Sequence, residues 1–188
     1  MDEPLHPFRW LPLRARKIAF VIALIAALGM VVAMLRVGAD LAVEAAPGGI
    51  VTYEFAGDLA TVDRILEGWG EPGRVLAGID LGLDYLFLAA YATALALGCA
   101  LAVPFLAIRS RLLGWLAAVL GWGQLLAGAL DAVENAALIA LLRGARDEAL
   151  PVVAWWCAAV KFSLVAAGLG FLALVGIAAI VVRLRRSS

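Results

Sequence analysis

Four apolar stretches, separated by short polar breaks, dominate this chain. The first runs from Ile18 to Leu35 between Lys17 and Arg36. Its 18 residues, at about 1.5 Å each, reach about 27 Å, enough to cross the hydrocarbon core of a bilayer. The second covers about Leu76–Ile108 and the third Leu112–Leu142. The fourth starts at Pro151, a favourable first-turn residue, and continues to Val182. The last three exceed the roughly 20 residues a span needs, which predicts tilt or projection beyond the bilayer. The pattern therefore predicts an all-α membrane protein: one membrane domain over residues 1–188, built as a four-transmembrane-helix bundle. The expected spans are about 18–36, 76–108, 112–142 and 151–182, with a small extracytoplasmic segment, 37–75, between the first two.

A cleaved signal peptide competes for the first stretch, because Arg9, Arg14, Arg16 and Lys17 form a positive leader. The apolar core is longer than the roughly 7–15 residues of a signal sequence, and Ala42, Glu44 and Ala46 make a poor cleavage site. The first helix is therefore expected to be retained.

Segment 37–75 has its own pattern. Pro47-Gly48-Gly49 is a turn signal, and Ile50–Phe55 alternates like a short strand. Asp58 or Thr61 can cap a helix reaching Trp69, with Leu59, Val62, Ile65, Leu66 and Trp69 on one apolar stripe. Gly70 would stop it and Pro72 would follow. Asp63, Arg64 and Glu67 occupy the other face, so the helix is amphipathic, its stripe capping the bundle mouth or lying in the membrane interface.

Five ionisable residues interrupt the apolar runs: Asp80, Asp84, Asp131, Glu134 and Lys161. The chain is 65% hydrophobic with a mean hydropathy of +1.00, so these charges need a physical reason to be there. A charge at helix mid-depth costs roughly 2.5–3.5 kcal/mol on insertion scales, and such residues usually face a bundle interior or a watery cavity. Counting inward from Leu142 and Pro151 puts Glu134, Asp131 and Lys161 at about 12, 16 and 15 Å, level with one another. Asp84 is shallower and Asp80 lies near the interface. Helical phase adds neighbours: Asp80, Asp84, Phe87 and Tyr91 share one face, and Gln124, Asp131 and Asn135 share another with Glu134 on its flank. Ala154, Cys157, Lys161 and Gly168 align on the fourth run. Gly114, Gly121 and Gly128 recur at heptad spacing on the third, and Ala159, Ser163 and Ala167 on the fourth, as expected where membrane helices approach closely.

The candidate pocket is thus Asp80, Asp84, Tyr91, Gln124, Asp131, Glu134, Asn135 and Lys161. Four carboxylates against one ammonium leave three excess negative charges if all ionise. The deeper acids must be protonated, hydrated or neutralised by a cation. One reading is internal glue, with Lys161 paired to Asp131 or Glu134 and Asn135 and Gln124 completing the hydrogen bonds. The other is a functional pocket, proton relay or ion site.

Loop charges orient the bundle. The N-terminus, the Arg109–Arg111 turn and the Arg183–Arg186 tail carry nine Lys/Arg against two acids, Asp2 and Glu3. The opposite side carries five Arg against nine acids. The positive-inside rule then places both termini in the cytoplasm and 37–75 outside. Trp10 and the Trp155–Trp156 pair suit opposite interfacial belts.

Fifteen basic and fifteen acidic residues balance, and no basic aromatic cluster occurs, so nucleic acid is not an expected partner. The single histidine, His6, precedes the apolar runs, and Cys99 and Cys157 lack metal-ligand or CxxC spacing, so neither a metal nor a redox site is expected. No phosphate-loop, dinucleotide, zinc-protease or serine-hydrolase motif occurs, and no cofactor is expected.

Ile79-Asp80-Leu81-Gly82-Leu83-Asp84-Tyr85-Leu86-Phe87 and Leu130-Asp131-Ala132-Val133-Glu134-Asn135-Ala136 resemble segments of bacterial four-helix membrane proteins with no assigned activity. Ile50–Phe55 followed by the helix ending at Trp69-Gly70, and Lys161-Phe162, fit the same resemblance. It implies a small multi-pass protein of the bacterial inner membrane and imports no activity.

The leading expectation is a non-enzymatic protein whose outer-half pocket binds a small molecule, lipid headgroup or cation, with an accessory subunit of a larger membrane complex as its nearest variant. The alternatives are a proton-coupled carrier, which with four spans needs a homo-oligomer and shows no inverted repeat, and a membrane enzyme using Asp84 or Glu134 as acid/base.

Overall fold

The computed structural model describes residues 4–187; Asp2 and Glu3, which enter the loop-charge balance, lie outside the described residues, as does Ser188. Five α-helices follow in order: α1 (Leu13–Val37), α2 (Ile50–Glu54), α3 (Leu59–Ala107), α4 (Arg111–Leu142) and α5 (Ala149–Ser187), with a 3₁₀ turn at Gly38–Leu41 after α1. Four of them, α1 with its 3₁₀ extension, α3, α4 and α5, are long and apolar enough to cross a membrane. The protein is a multi-pass all-α bundle.

The central pair is α3 and α4, with α1 against α3 and α5 against α4. Small residues set the central spacing. A Cβ on Gly128 would stand 2.8 Å from the Ala92 Cβ, and one on Gly114 would stand 2.9 Å from that of Ala107. Backbones that approach this closely gain van der Waals packing, the main drive for helix association where lipid removes the hydrophobic one. By contrast α1 buries only Ala23 and Ala27 and turns most of its surface outward. On α5, Ser163 and Ala167 are also exposed.

One end of the bundle is closed by α2 and the first turns of α3. Asp58 caps α3, its carboxylate accepting from the Thr61 amide at 2.8 Å, the N-cap bond that satisfies an orphan donor. The helix breaks at Gly70, whose φ of 60° and ψ of −168° lie in a region essentially reserved for glycine. Pro72 then sits in the first turn of the resumed helix, where its missing N–H is no loss. Arg74 Nε donates to the Leu66 carbonyl at 3.1 Å, bracing the break. The helix resumes directly after Gly70, so residues 71–75 are helical and run on into the second span.

The break turns the first part of α3 over the bundle mouth. Val62, Ile65, Leu66 and Trp69 are buried together with Leu41, Tyr53, Leu81, Leu138 and Leu141 in the largest apolar core. The amphipathic stripe therefore caps the bundle. Trp69 Nε1 donates to the Leu41 carbonyl at 2.8 Å, and the Tyr53 hydroxyl donates to the Leu138 carbonyl at 3.0 Å.

The strand expected at Ile50–Phe55 is instead α2 followed by a turn. A lone strand has nothing to pair its N–H and C=O groups with. Among the described residues the only β interaction is an isolated Val43–Ala46 bridge. One helical turn meets the backbone's needs locally, entered through Gly49 at φ 60°.

The other end is plugged by the N-terminal segment. Pro7 lies where a Cβ on Gly121 would come within 3.1 Å, and Trp122 Nε1 donates to the Leu5 carbonyl at 3.2 Å.

Candidate functional site

Asp131, Glu134 and Asn135 occupy positions i, i+3 and i+4 of α4, one face of one turn, and all three are buried. Lys161 reaches them from α5. Its Nζ donates to Asp131 Oδ1 at 2.6 Å and to Glu134 Oε1 at 2.9 Å. A third carboxylate, Glu54 at the end of α2, brings Oε1 to 3.7 Å from the same nitrogen. The ammonium has three N–H donors and faces three acids.

The cage extends to α3. The Tyr91 hydroxyl donates to Asp131 Oδ2 at 2.9 Å, and the Asp84 carboxyl lies beside that of Asp131. Asn135 Nδ2 donates to Asp84 Oδ2 at 2.6 Å. Four helices, α2 to α5, thus contribute to one buried polar network. It is richer in acceptors than in donors, and Glu54 Oε2, Glu134 Oε2 and Asn135 Oδ1 are buried without a hydrogen-bond partner. Outside the spans, burial pushes the Glu54 carboxyl up to about 7 against the pull of Lys161.

Of the eight residues singled out in the sequence, six meet in this cage: Asp84, Tyr91, Asp131, Glu134, Asn135 and Lys161. Gln124 does not. It lies about two turns further along α4, where Nε2 donates to the Leu164 carbonyl at 2.9 Å and the side chain fills the space left by Gly168. It ties α4 to α5. Asp80 does not join either, although it sits one turn from Asp84. It lines a separate cleft of about 470 Å³ between α1, the 3₁₀ turn, the Pro47–Val51 turn and α3.

Glu54 was not anticipated. An acid flanked by Tyr53 and Phe55 was the available signal, but only the fold of the cap brings it onto Lys161. Among the described residues, no group of three or more His, Cys, Asp or Glu is arranged to hold a metal ion.

No protein-family model matches the chain, and no curated protein or solved structure shows significant similarity to it. The fold and the cage define a four-helix membrane bundle built round a buried lysine–carboxylate network. What that network can do chemically is hold and redistribute protons or accept a small cationic group.

Proposed function

We propose that the protein is a non-enzymatic binding protein of the bacterial inner membrane, with both termini in the cytoplasm and the cap formed by α2 and the start of α3 outside. Its caged lysine site takes up a proton or a small cationic group. The observation that carries this reading is the imbalance of the cage. Lys161 faces three carboxylates, a fourth lies beside Asp131, and two carboxylate oxygens stay buried without a donor. Such acceptors are expensive to bury unpaired, and a proton or cation is what relieves them. The unequal loop charges support the orientation.

A membrane enzyme is less well supported, because Phe87 and Asp80, and not Asp131, Glu134 or Lys161, line the 470 Å³ cleft. The outward Ser163 and Ala167 of α5 favour helix association, and hence a homo-oligomer or an accessory role in a larger complex as a second reading.

Melting curves of wild type, Asp131→Asn and Glu134→Gln between about pH 4 and 8, the range of ordinary and shifted carboxylates, test the proposal. Removing Glu134, whose Oε2 is buried without a partner, is expected to change the shape of the pH profile. Superimposable profiles for all three proteins would reduce the cage to packing.

A further inference from the structure

We propose that the cleft beside the cage binds a primary ammonium group carried on an apolar body, either the headgroup of an aminophospholipid or a free alkylamine. This deepens the view of the molecule as a binding protein and rests on it for the use made of the site. The geometry is independent, since Asp80 belongs to the cleft and not to the cage.

The cleft measures about 470 Å³, within the roughly 300–1,000 Å³ of small-molecule sites. Its walls are apolar: Val31, Met34 and Leu35 from α1, Ile50 and Val51 from α2, and Phe87 from α3. Asp80 is the one charged residue in the lining. It is only 2% exposed, and its Oδ1 is buried with no hydrogen-bond partner. An unpaired carboxylate oxygen at the edge of a membrane span is costly to maintain, and no lysine or arginine in the cleft answers it. The complementary charge has to come from the occupant.

Three further features shape that occupant. Gly38 places no side chain beside the carboxylate, where a Cβ would stand 3.7 Å from Asp80 Oδ1, in van der Waals contact with it. The Phe87 ring packs on Tyr91 at a centroid distance of 5.0 Å, so the apolar wall about two turns from Asp80 is held in place for the occupant's hydrocarbon part. Leu35, at the cleft rim, is 70% exposed and lets an alkyl chain continue along α1 into the lipid. An anionic ligand finds no counter-charge here. A bare metal ion finds one carboxylate, too few ligands for a hard cation.

Native mass spectrometry of the detergent-solubilised full chain tests this, with octylamine compared with octan-1-ol, and phosphatidylethanolamine with phosphatidylcholine. The amine of at least one pair is expected to be retained about tenfold better, the worth of one charge-assisted hydrogen bond, and Asp80→Asn is expected to erase the difference. Preference only for phosphatidylethanolamine assigns the lipid, and preference only for octylamine assigns the free amine. Gly38→Ala keeps the charge but places a methyl against Asp80, and is expected to weaken the amine several-fold. Equal retention within both pairs, or a preference that survives Asp80→Asn, overturns the proposal. Should Asp80→Asn fail to fold, an amine preference unmoved by Gly38→Ala overturns it instead. Asp80 lines the cleft and the cage acids do not, so an amine preference that Asp80→Asn erases, beside a flat pH profile, would cost only the cage its role.

Discussion

Lys161 is the residue on which the cage depends. Replacing it with methionine strands Asp131, Glu134 and Glu54 around an apolar side chain, and breaking a buried ion pair by removing one member costs about 3–5 kcal/mol. Lys161→Met is therefore expected to lower denaturation stability in detergent by that order. Lys161→Met combined with Glu134→Gln should lose less than the sum of the single variants. Strict additivity would show that the two residues are not coupled. Glu54 gives the cage a pH signature. Its folded pKa, raised to about 7, lies above the ordinary value near 4.5, so the protonated form favours the native state. The resulting stability is complete below about pH 4.5 and is lost as pH rises through about 7. Glu54→Gln should remove that decline from the melting curve, and an unchanged slope would assign it elsewhere. Matched depth along two helices was enough to anticipate Lys161 beside Asp131 and Glu134, and helical phase to add Tyr91 and Asn135. Glu54 was illegible because its position depends on how a short segment folds over the bundle. Gln124 shared the right face but sat two turns too far along it, a distance that phase does not report.

Helix punctuation carried most of the information at the scale of elements. Gly70 and Pro72 mark the break in α3, and the stripe from Leu59 to Trp69 marks the face that the cap buries. Six alternating residues, Ile50–Phe55, could not be told apart from a strand, because what decides between strand and single helical turn is whether a partner strand exists elsewhere. The Gly70 backbone makes a sharp prediction. Gly70→Ala is expected to cost about 1–3 kcal/mol, the strain of a side chain in this region of φ/ψ space. Gly82 is the control: a Cβ there meets nothing within 4 Å, so Gly82→Ala should be neutral or gain up to about 1 kcal/mol from helix propensity. Chemical denaturation showing equal effects would contradict the strain at Gly70. Gly128→Leu should be worse than either, since a Cβ there already meets Ala92 at 2.8 Å and overpacking costs about 1–3 kcal/mol or more.

For the molecule as a whole, hydropathy and span length made the four-helix architecture readable, whereas the α1–α3 cleft arises from packing and has no periodic signature. The proposed orientation predicts a labelling pattern. Cys99 and Cys157 are buried, so a membrane-impermeant thiol reagent applied from outside should modify Glu148→Cys and spare Ser110→Cys; the reverse would invert the topology. The placement of Lys161 also bears on how the protein is made. Glu134 and Lys161 stand 27 positions apart, and both acids of α4 precede the lysine in the chain. During synthesis, α4 emerges carrying Asp131 and Glu134 with no ammonium to meet them, at an insertion cost of roughly 2.5–3.5 kcal/mol for an acid at mid-depth. The nascent third span is thus a poor guest of the lipid until the fourth follows, and the two enter the bilayer most favourably as a hairpin in which Lys161 already meets both acids.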